Sequence, residues 1–266
     1  MGARFIKHIK LVFLALAFYP AFGFADLSYD GSLTILEGIV EPVAVEFEMR
    51  TGMRFRKMEG AGASIGYLRA MKGEVALGGV ARPLSAAEKA ERPYHVVIGF
   101  DALAVFVHQS NLLKDISKAQ LRAVLEGNIK NWKELGLQDR PIQVVTEFKN
   151  SGRATLQFVK DAILGTARYG PEKEVNTPHE CAQYVASNPN ALAVISIVNS
   201  QPGLKLVSLN GIKPERENVR SSAYELARPL LLVSRKIPTG EVRTFIDFLF
   251  SYRGQRVVER RFVPVK

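Results

Sequence analysis

The sequence predicts an α/β fold in which mainly parallel sheets are covered by helices on both sides. From Ser32 onward, short apolar runs alternate with segments whose apolar residues recur at helical spacing. Such alternation is typical of parallel strands joined by crossover helices. The apolar segment 95–108 is longer than a typical strand. It therefore predicts a strand that leaves one sheet and enters another.

The strand predictions follow from apolar runs, and the helix predictions from apolar spacing and end signals. Ser85 with Glu88 forms a capping box, in which a side chain at each position binds a backbone N–H at the other. Gly127 ends the helix that Ser117 starts. Strands are predicted at 33–36, 53–58, 74–81, 95–108, 142–146, 191–197 and 228–234; helices are predicted from 40, 65, 85, 117, 131, 154, 177, 241 and 255.

The first 25 residues have the layout of a secretory signal peptide. Three basic residues precede the apolar run 11–18, and small residues at 23 and 25 precede Asp26. The run is shorter than the roughly 20 residues that a membrane-spanning helix needs. An uncleaved N-terminal anchor is the alternative. We expect cleavage, export to the periplasm and a soluble chain from about residue 26.

Composition limits the function classes. The net charge is +10, but the basic residues are scattered rather than gathered on one helix among aromatic residues, so no nucleic-acid partner is expected. The single cysteine, Cys181, permits no internal disulfide, and stability must come from core burial.

Two tight strand-to-helix turns predict an anion site. Residues 149–153 join a strand to a helix, and residues 60–66 form a glycine-rich turn of the same kind. The first amides of a helix lack intrahelical partners and lie at the positive end of its dipole, so both turns attract anions. Ser151 can add a hydroxyl donor, although a serine there can also simply cap the helix.

The domain organisation follows from the long strands, since the sequence has no repeat and no low-complexity linker. The chain crosses between lobes near 100–105 and returns near 225–229. We predict a signal peptide at 1–25, a first lobe of 26–104 plus 226–266, and a second lobe of 105–225. Asp101 lies at the crossover, where we expect a structural role.

An enzyme needs a nucleophile, a base or a metal set, and the sequence indicates none. His95, His108 and His179 are far apart and lack partners at metal-ligand spacing. No Gly-x-Ser-x-Gly motif is present. We expect a protein that is not an enzyme and has no catalytic residue, no metal and no cofactor.

Four motifs together resemble the phosphate-binding proteins of bacterial ABC transporters. They are Asn-Ile-Lys-Asn-Trp-Lys-Glu-Leu-Gly at 128–136, the Ser-Gly turn at 151–152, Ala-Arg-Pro-Leu-Ser at 81–85 with Glu88, and Tyr-Glu-Leu-Ala-Arg-Pro-Leu at 224–230. The match runs in order over nearly all of the chain after the leader. The resemblance implies a two-lobed periplasmic binding protein of type II, each lobe a mainly parallel sheet flanked by helices. It also implies that the lobes close on a small oxyanion, phosphate first.

The resemblance also implies the ligand-facing residues and the partners. The partners are the oxyanion and an ABC permease at the inner membrane, and we expect a monomer. The ligand-facing residues are Glu37, Gly38 and Ile39 after the first strand, Gly62, Ala63 and Ser64 at the second turn, Ala81 and Arg82 after the third strand, and Glu147, Ser151, Gly152 and Arg153 at the third turn.

This chain departs from the family pattern at four of these positions. Glu37 and Ile39 replace small hydroxyl residues, Arg153 replaces a threonine, and Glu147 replaces an arginine. Glu147 can pair with Lys149 or Arg153, or it can face the ligand and accept a hydrogen bond from a protonated oxyanion. A cationic or zwitterionic ligand is a further alternative at this position. The second function hypothesis is a sensor or envelope interaction module that has diverged from phosphate binding.

Overall fold

A computed structural model of the chain describes residues 27–148 and 154–265. The predicted signal peptide lies outside the described residues, and so do Ser151, Gly152 and Arg153 of the third turn. Within the described part of the chain, no helix is long and apolar enough to cross a membrane.

One half of the sheet is built on β1, which runs parallel to a strand on each side. Helices follow each of these strands and cover the sheet. The elements are β1 (Ser28–Gly31), α1 (Leu33–Ile35), a π-helical segment (Leu36–Val40), α2 (Glu41–Thr51), β2 (Lys57–Glu59), α3 (Ala63–Lys72), β3 (Leu77–Val80) and α4 (Ala86–Ala90).

The other half is built on β6, which runs parallel to β7 and β8. The elements here are β5 (Asp115–Ile116), α5 (Lys118–Leu125), a 3-10 turn (Trp132–Leu135), β6 (Gln143–Glu147), α6 (Ala154–Val159), a π-helical segment (Lys160–Leu164), β7 (Lys173–Val175), α7 (Pro178–Ser187), β8 (Ala191–Ser196), a 3-10 turn (Ile197–Asn199), β9 (Leu204–Leu209) and α8 (Arg216–Arg220).

Two antiparallel strands join the halves: β4 (Tyr94–His108) and β10 (Ala227–Ser234). Eight of the first nine residues of β4, up to Ala102, pair with β10, and Ile98 is passed over at a shift in register; the rest pair with β8 and β9. The prediction that this strand leaves one group of strands and enters another is therefore confirmed, although the two groups form halves of one sheet. Two further helices, α9 (Gly240–Phe250) and α10 (Tyr252–Glu259), return to the first half.

The hydrophobic core divides at the same place. One cluster contains Phe47 of α2, Phe245 of α9 and the apolar side chains of β1, β3 and β10; the rings of Phe47 and Phe245 meet edge to face, with centroids 5.4 Å apart. Another contains Leu121 of α5, Trp132 and the second part of β4. Each half of the sheet thus buries its own apolar side chains, and the chain passes between them through β4 and β10.

The prediction of a strand at 33–36 is wrong. These residues begin the continuous helical stretch that runs to Thr51, and β1 lies earlier, at Ser28–Gly31. The helical signal was present in the sequence, because Ile35, Ile39, Val43 and Phe47 recur every four residues and all four are fully buried. The short apolar run around Ile35 hid this longer period.

The helix starts predicted at Ser85, Ser117 and Thr177 are confirmed by their caps. The Ser85 hydroxyl accepts a hydrogen bond from the Glu88 backbone N–H, and the Glu88 carboxylate accepts one from Ser85 N–H. Ser117 caps α5, and Thr177 caps α7 in the same way through its hydroxyl. These local signals are confirmed because each involves residues no more than four positions apart.

Candidate functional site

A cavity of about 120 Å³ lies where several helices of the described chain begin. We call it the helix-mouth cavity. Its lining includes the first residues of α1, α3, α6 and α7, which come from both halves of the sheet. The residues are Ser32, Leu33, Thr34, Gly60, Ala61, Gly62, Ala63, Glu147, Ala154, Thr155 and Pro178.

The N-terminus of α1, the first of the helix mouths at this cavity, is held against β3. Gly31 has a φ of +149°, and a Cβ atom there would come within 2.4 Å of the Gly79 backbone. Glycine thus allows the chain to leave β1 in close contact with β3. The Ser32 N–H donates to the Gly79 carbonyl at 2.9 Å, and no side-chain cap closes this helix end. The first amides of the helix therefore remain available at the cavity.

The N-terminus of α3, the second helix mouth, is anchored to the end of β1. The buried Asp30 carboxylate accepts a hydrogen bond from Ala61 N–H at 2.9 Å, and the Gly31 carbonyl accepts one from Gly62 N–H at 2.9 Å. Gly62 has a φ of +106°, which favours glycine, and no side chain caps α3. Gly66 lets α3 lie directly on β1, since a Cβ atom there would meet the Asp30 carbonyl at 2.4 Å.

The third helix mouth is α6, where Thr155 lines the cavity and is 7% exposed. The Thr155 hydroxyl accepts a hydrogen bond from Arg228 Nη1 at 3.3 Å. A hydroxyl has one proton to donate, and a lone pair already occupied by arginine directs that proton elsewhere. The Thr155 proton is therefore not used in this hydrogen bond, and Thr155 lines the cavity.

Arg228 itself belongs to a buried network at the strand crossover. Its Nε and Nη2 donate to Asp101 Oδ2 at 3.0 and 2.8 Å, and Ser196 Oγ donates to Asp101 Oδ1 at 2.6 Å. Asp101 and Arg228 are direct partners across the β4–β10 pair. The structural role expected for Asp101 is thus observed: its carboxylate joins β4, β8 and β10 at the point where the chain changes halves.

Glu147 contributes a negative charge to the cavity. Glu147 is the last residue of β6, it lines the helix-mouth cavity, and it is 2% exposed. The pKa of Tyr169 is raised by burial and by the charges of Glu172 and Glu147. A carboxylate oxygen can accept a hydrogen bond from a protonated group.

A second, larger cavity of about 470 Å³ adjoins the first, because Ala63 and Ala154 line both. We call it the basic cavity. It contains three cationic side chains and no acidic one among its described lining residues. Those residues are Ala63, Ser64, Arg82, Ala154, Leu156, Gln157, Lys160, Ala167, Arg168 and Tyr169.

The structure brings together the predicted residues of the second turn but not those of the first. Gly62, Ala63 and Glu147 line the helix-mouth cavity, and Ser64 and Arg82 line the basic cavity. Ala81 is fully buried and lines neither.

Arg82 does not extend freely toward a ligand. Its guanidinium pairs with both oxygens of Glu88 at 2.7 and 2.8 Å, and Nη2 reaches Ser64 Oγ at 3.5 Å. Hydrogen bonding to Glu88 raises the pKa of Arg82 above its ordinary value. Its charge therefore contributes at the edge of the basic cavity, with one carboxylate already bound to it.

The assignment of Glu37, Gly38 and Ile39 to the turn after the first strand is corrected. They lie within the π-helical segment, one helical turn past the mouth of the helix. Glu37 is exposed, Ile39 is fully buried, and a Cβ atom on Gly38 would come within 2.4 Å of the Phe262 ring. The error follows from placing the first strand at 33–36.

The residues that the first turn does contribute are Ser32 and Thr34, which the sequence prediction missed. A serine immediately before a helical apolar pattern is a recognisable helix-start signal. Thr155 was also missed, because its hydrogen bond to Arg228 joins residues 73 positions apart. Across residues 27–148 and 154–265, no group of three His, Cys, Asp or Glu side chains could hold a metal ion.

The mixed sheet, the crossing strands and the shared cavity at the helix mouths define a type II periplasmic binding protein fold. A family model described as a PBP superfamily domain matches residues 24–253. The chain belongs to the PBP superfamily.

Individual relatives support the same assignment. The chain is 29% identical to the phosphate-binding protein PstS of Bacillus subtilis over 258 residues, which cover 88% of this chain and 81% of that protein. A crystal structure with bound phosphate from Clostridium perfringens, a suggested phosphate ABC transporter substrate-binding protein, has a TM-score of 0.80 and 27% identity, covering 91% of this chain and 100% of that one. An ABC-type phosphate transport receptor from Vibrio cholerae gives a TM-score of 0.80 at 23% identity, with 89% and 98% coverage.

Proposed function

We propose that this protein captures phosphate between two lobes in the periplasm and delivers it to an ABC transporter. The proposed lobes are residues 26–104 plus 226–266 and residues 105–225, with β4 and β10 as the hinge. The leader at 1–25 directs export, a membrane permease is the receiving partner, and the protein acts as a monomer without catalytic chemistry.

The observation that carries this proposal is the convergence of described helix N-termini on one small cavity. The N-termini of α1 and α3, which no side chain caps, supply backbone N–H groups without intrahelical partners and the positive end of a helix dipole, whereas α7 begins with Pro178, which has no N–H. The volume of about 120 Å³ suits a compact anion. Ser32 and Thr155 add hydroxyl groups from the two halves of the sheet.

The named relatives support phosphate as the first ligand to test. The Clostridium perfringens structure holds bound phosphate, and it resembles this chain over nearly its whole length. We propose that Ser32, Gly62, Ala63, Ser64 and Thr155 contact the anion. The turn with Ser151, Gly152 and Arg153 supplies further donors, while Glu147 accepts a hydrogen bond from a protonated phosphate.

Isothermal titration of the purified protein with phosphate and with sulfate tests the proposal. We expect micromolar or tighter binding of phosphate and weaker binding of sulfate. Ser32→Ala should weaken phosphate binding about tenfold, the effect of one hydrogen bond to a charged ligand. Ser187→Ala is the matched control, since this serine is exposed on α7 and its hydroxyl donates to the Gln183 carbonyl.

Lobe closure gives an independent measurement. The radius of gyration from small-angle scattering should decrease on adding phosphate. A folded protein that releases no heat with phosphate and keeps its radius would refute the proposed function.

A further inference from the structure

The basic cavity adds room and positive charge beside the helix-mouth cavity. At about 470 Å³ it is several times larger than the helix-mouth cavity and lies within the usual range of sites for small organic molecules. Because Ala63 and Ala154 line both cavities, a ligand held at the helix mouths can extend directly into the larger one.

The charge of the basic cavity favours a second anionic group on that ligand. Lys160 and Arg168 are exposed within it, and neither takes part in the ion pairs of the described residues. Four acids of the described chain lie beside the lining residues: Glu88 is paired with Arg82, Asp161 accepts a hydrogen bond from the Gln157 amide at 2.7 Å, and the charges of Glu172 and Glu147 act on Tyr169. Among the described residues, no carboxylate lies within ion-pair distance of Lys160 or Arg168.

The remaining wall is partly apolar. Leu156 and Ala167 contribute aliphatic surface, and the half-buried Tyr169 adds an aromatic ring. Such an apolar surface suits a short carbon skeleton, whereas a purely inorganic anion would leave this surface exposed to water.

The geometry points to a substrate class wider than inorganic phosphate: small phosphate monoesters that carry a second anionic group. The phosphate group binds at the helix mouths, the carbon skeleton packs on Leu156 and Tyr169, and the second anion binds Lys160 and Arg168. This inference rests on the proposed function, because it uses the same phosphate position.

The test is calorimetric titration of the whole protein with three probes. Inorganic phosphate reports the helix-mouth cavity, glycerol 3-phosphate adds a carbon skeleton, and 3-phosphoglycerate adds a carboxylate to nearly the same skeleton. We expect 3-phosphoglycerate to bind about tenfold or more tightly than glycerol 3-phosphate, as one charge-assisted contact predicts.

The double variant Lys160→Ala/Arg168→Ala assigns the second anion to its site. It should remove the advantage of 3-phosphoglycerate over glycerol 3-phosphate and change the Kd of inorganic phosphate less than threefold. Lys213→Ala/Arg253→Ala is the control, since it removes the same charge from exposed residues that line neither cavity.

The outcomes separate this inference from the proposed function. Binding of phosphate without binding of either ester overturns the inference and leaves the proposed function intact. An advantage of 3-phosphoglycerate that survives equally in both double variants also overturns it. No binding of any probe overturns both.

Discussion

The buried ion pair at the strand crossover makes a quantitative prediction. Asp101→Asn removes one charge while keeping the size of the side chain, and it leaves the Arg228 guanidinium buried without a counter-charge. The side chains of Arg228 and Asp101 are 0% and 1% exposed. Breaking one partner of such a pair costs about 3–5 kcal/mol of unfolding free energy. At about 2–4 °C per kcal/mol for a chain of this size, Tm should fall by roughly 6–20 °C.

The assay is urea unfolding at pH 7, followed by circular dichroism and by tryptophan fluorescence from Trp132. Asp247→Asn is the matched control, because Asp247 pairs with Arg243 at 2.9 Å on α9 but both side chains are about half exposed. An exposed pair at this helical spacing contributes only about 0.3–0.5 kcal/mol. If Asp101→Asn destabilises the protein no more than Asp247→Asn does, the buried pair does not hold the crossover as inferred.

A double variant separates lost attraction from an uncompensated charge. Asp101→Leu with Arg228→Met removes both charges, and we expect it to be less destabilised than Asp101→Asn, because replacing a buried pair by apolar groups avoids stranding one ion. A double variant that is less stable than Asp101→Asn would contradict this account.

Three further predictions concern Thr155 and Glu147 at the helix-mouth cavity and Glu88, the partner of Arg82. Thr155→Val should weaken phosphate binding about tenfold or more, because it removes one hydroxyl donor. The control is Thr146→Val on β6, which removes a buried hydroxyl that has no hydrogen-bond partner and should leave the Kd for phosphate unchanged. Equal effects of the two variants in calorimetry would refute the donor role of Thr155. Glu147→Gln removes a negative charge from the helix-mouth lining and should tighten sulfate binding more than phosphate binding, so an unchanged sulfate-to-phosphate ratio would contradict the acceptor role. Burial raises the pKa of Glu88, but hydrogen bonds from Arg82 and Ser85 bring it below its ordinary value; the stabilisation is therefore present above the unfolded pKa of about 4.3 and lost as pH falls through the folded pKa. Glu88→Gln should thus lower the unfolding free energy at pH 7, and urea unfolding near pH 3 should show a smaller difference from the wild type, whereas a constant difference would refute the linkage.

The sequence was informative wherever the signal was local. Two such signals are confirmed. The capping box joins Ser85 and Glu88, which are close in sequence, and the apolar run of β4 is one continuous segment. The glycine-rich turn at 60–66 likewise forms a helix mouth at the cavity. Local backbone and capping preferences act over one or two turns, so they can be read without knowing what packs against them.

The sequence misled where two local patterns competed. The apolar run at 33–36 is typical of a short strand, while the spacing of Ile35, Ile39 and Val43 is typical of a helix. The burial of that longer face against the core decides the outcome, because burying a whole helical stripe releases more apolar surface from water than four residues can. Misplacing this element moved the predicted first turn from Ser32 to Glu37.

The sequence by itself determined the α/β class, most of the helix starts and the strand that crosses between halves. Only the tertiary structure decided which helix N-termini share a cavity, and that Arg228 pairs with Asp101, 127 residues away, while it donates a hydrogen bond to Thr155. Such contacts depend on the order and register of distant strands. That register is fixed by packing of the whole sheet, so no short window of sequence carries it.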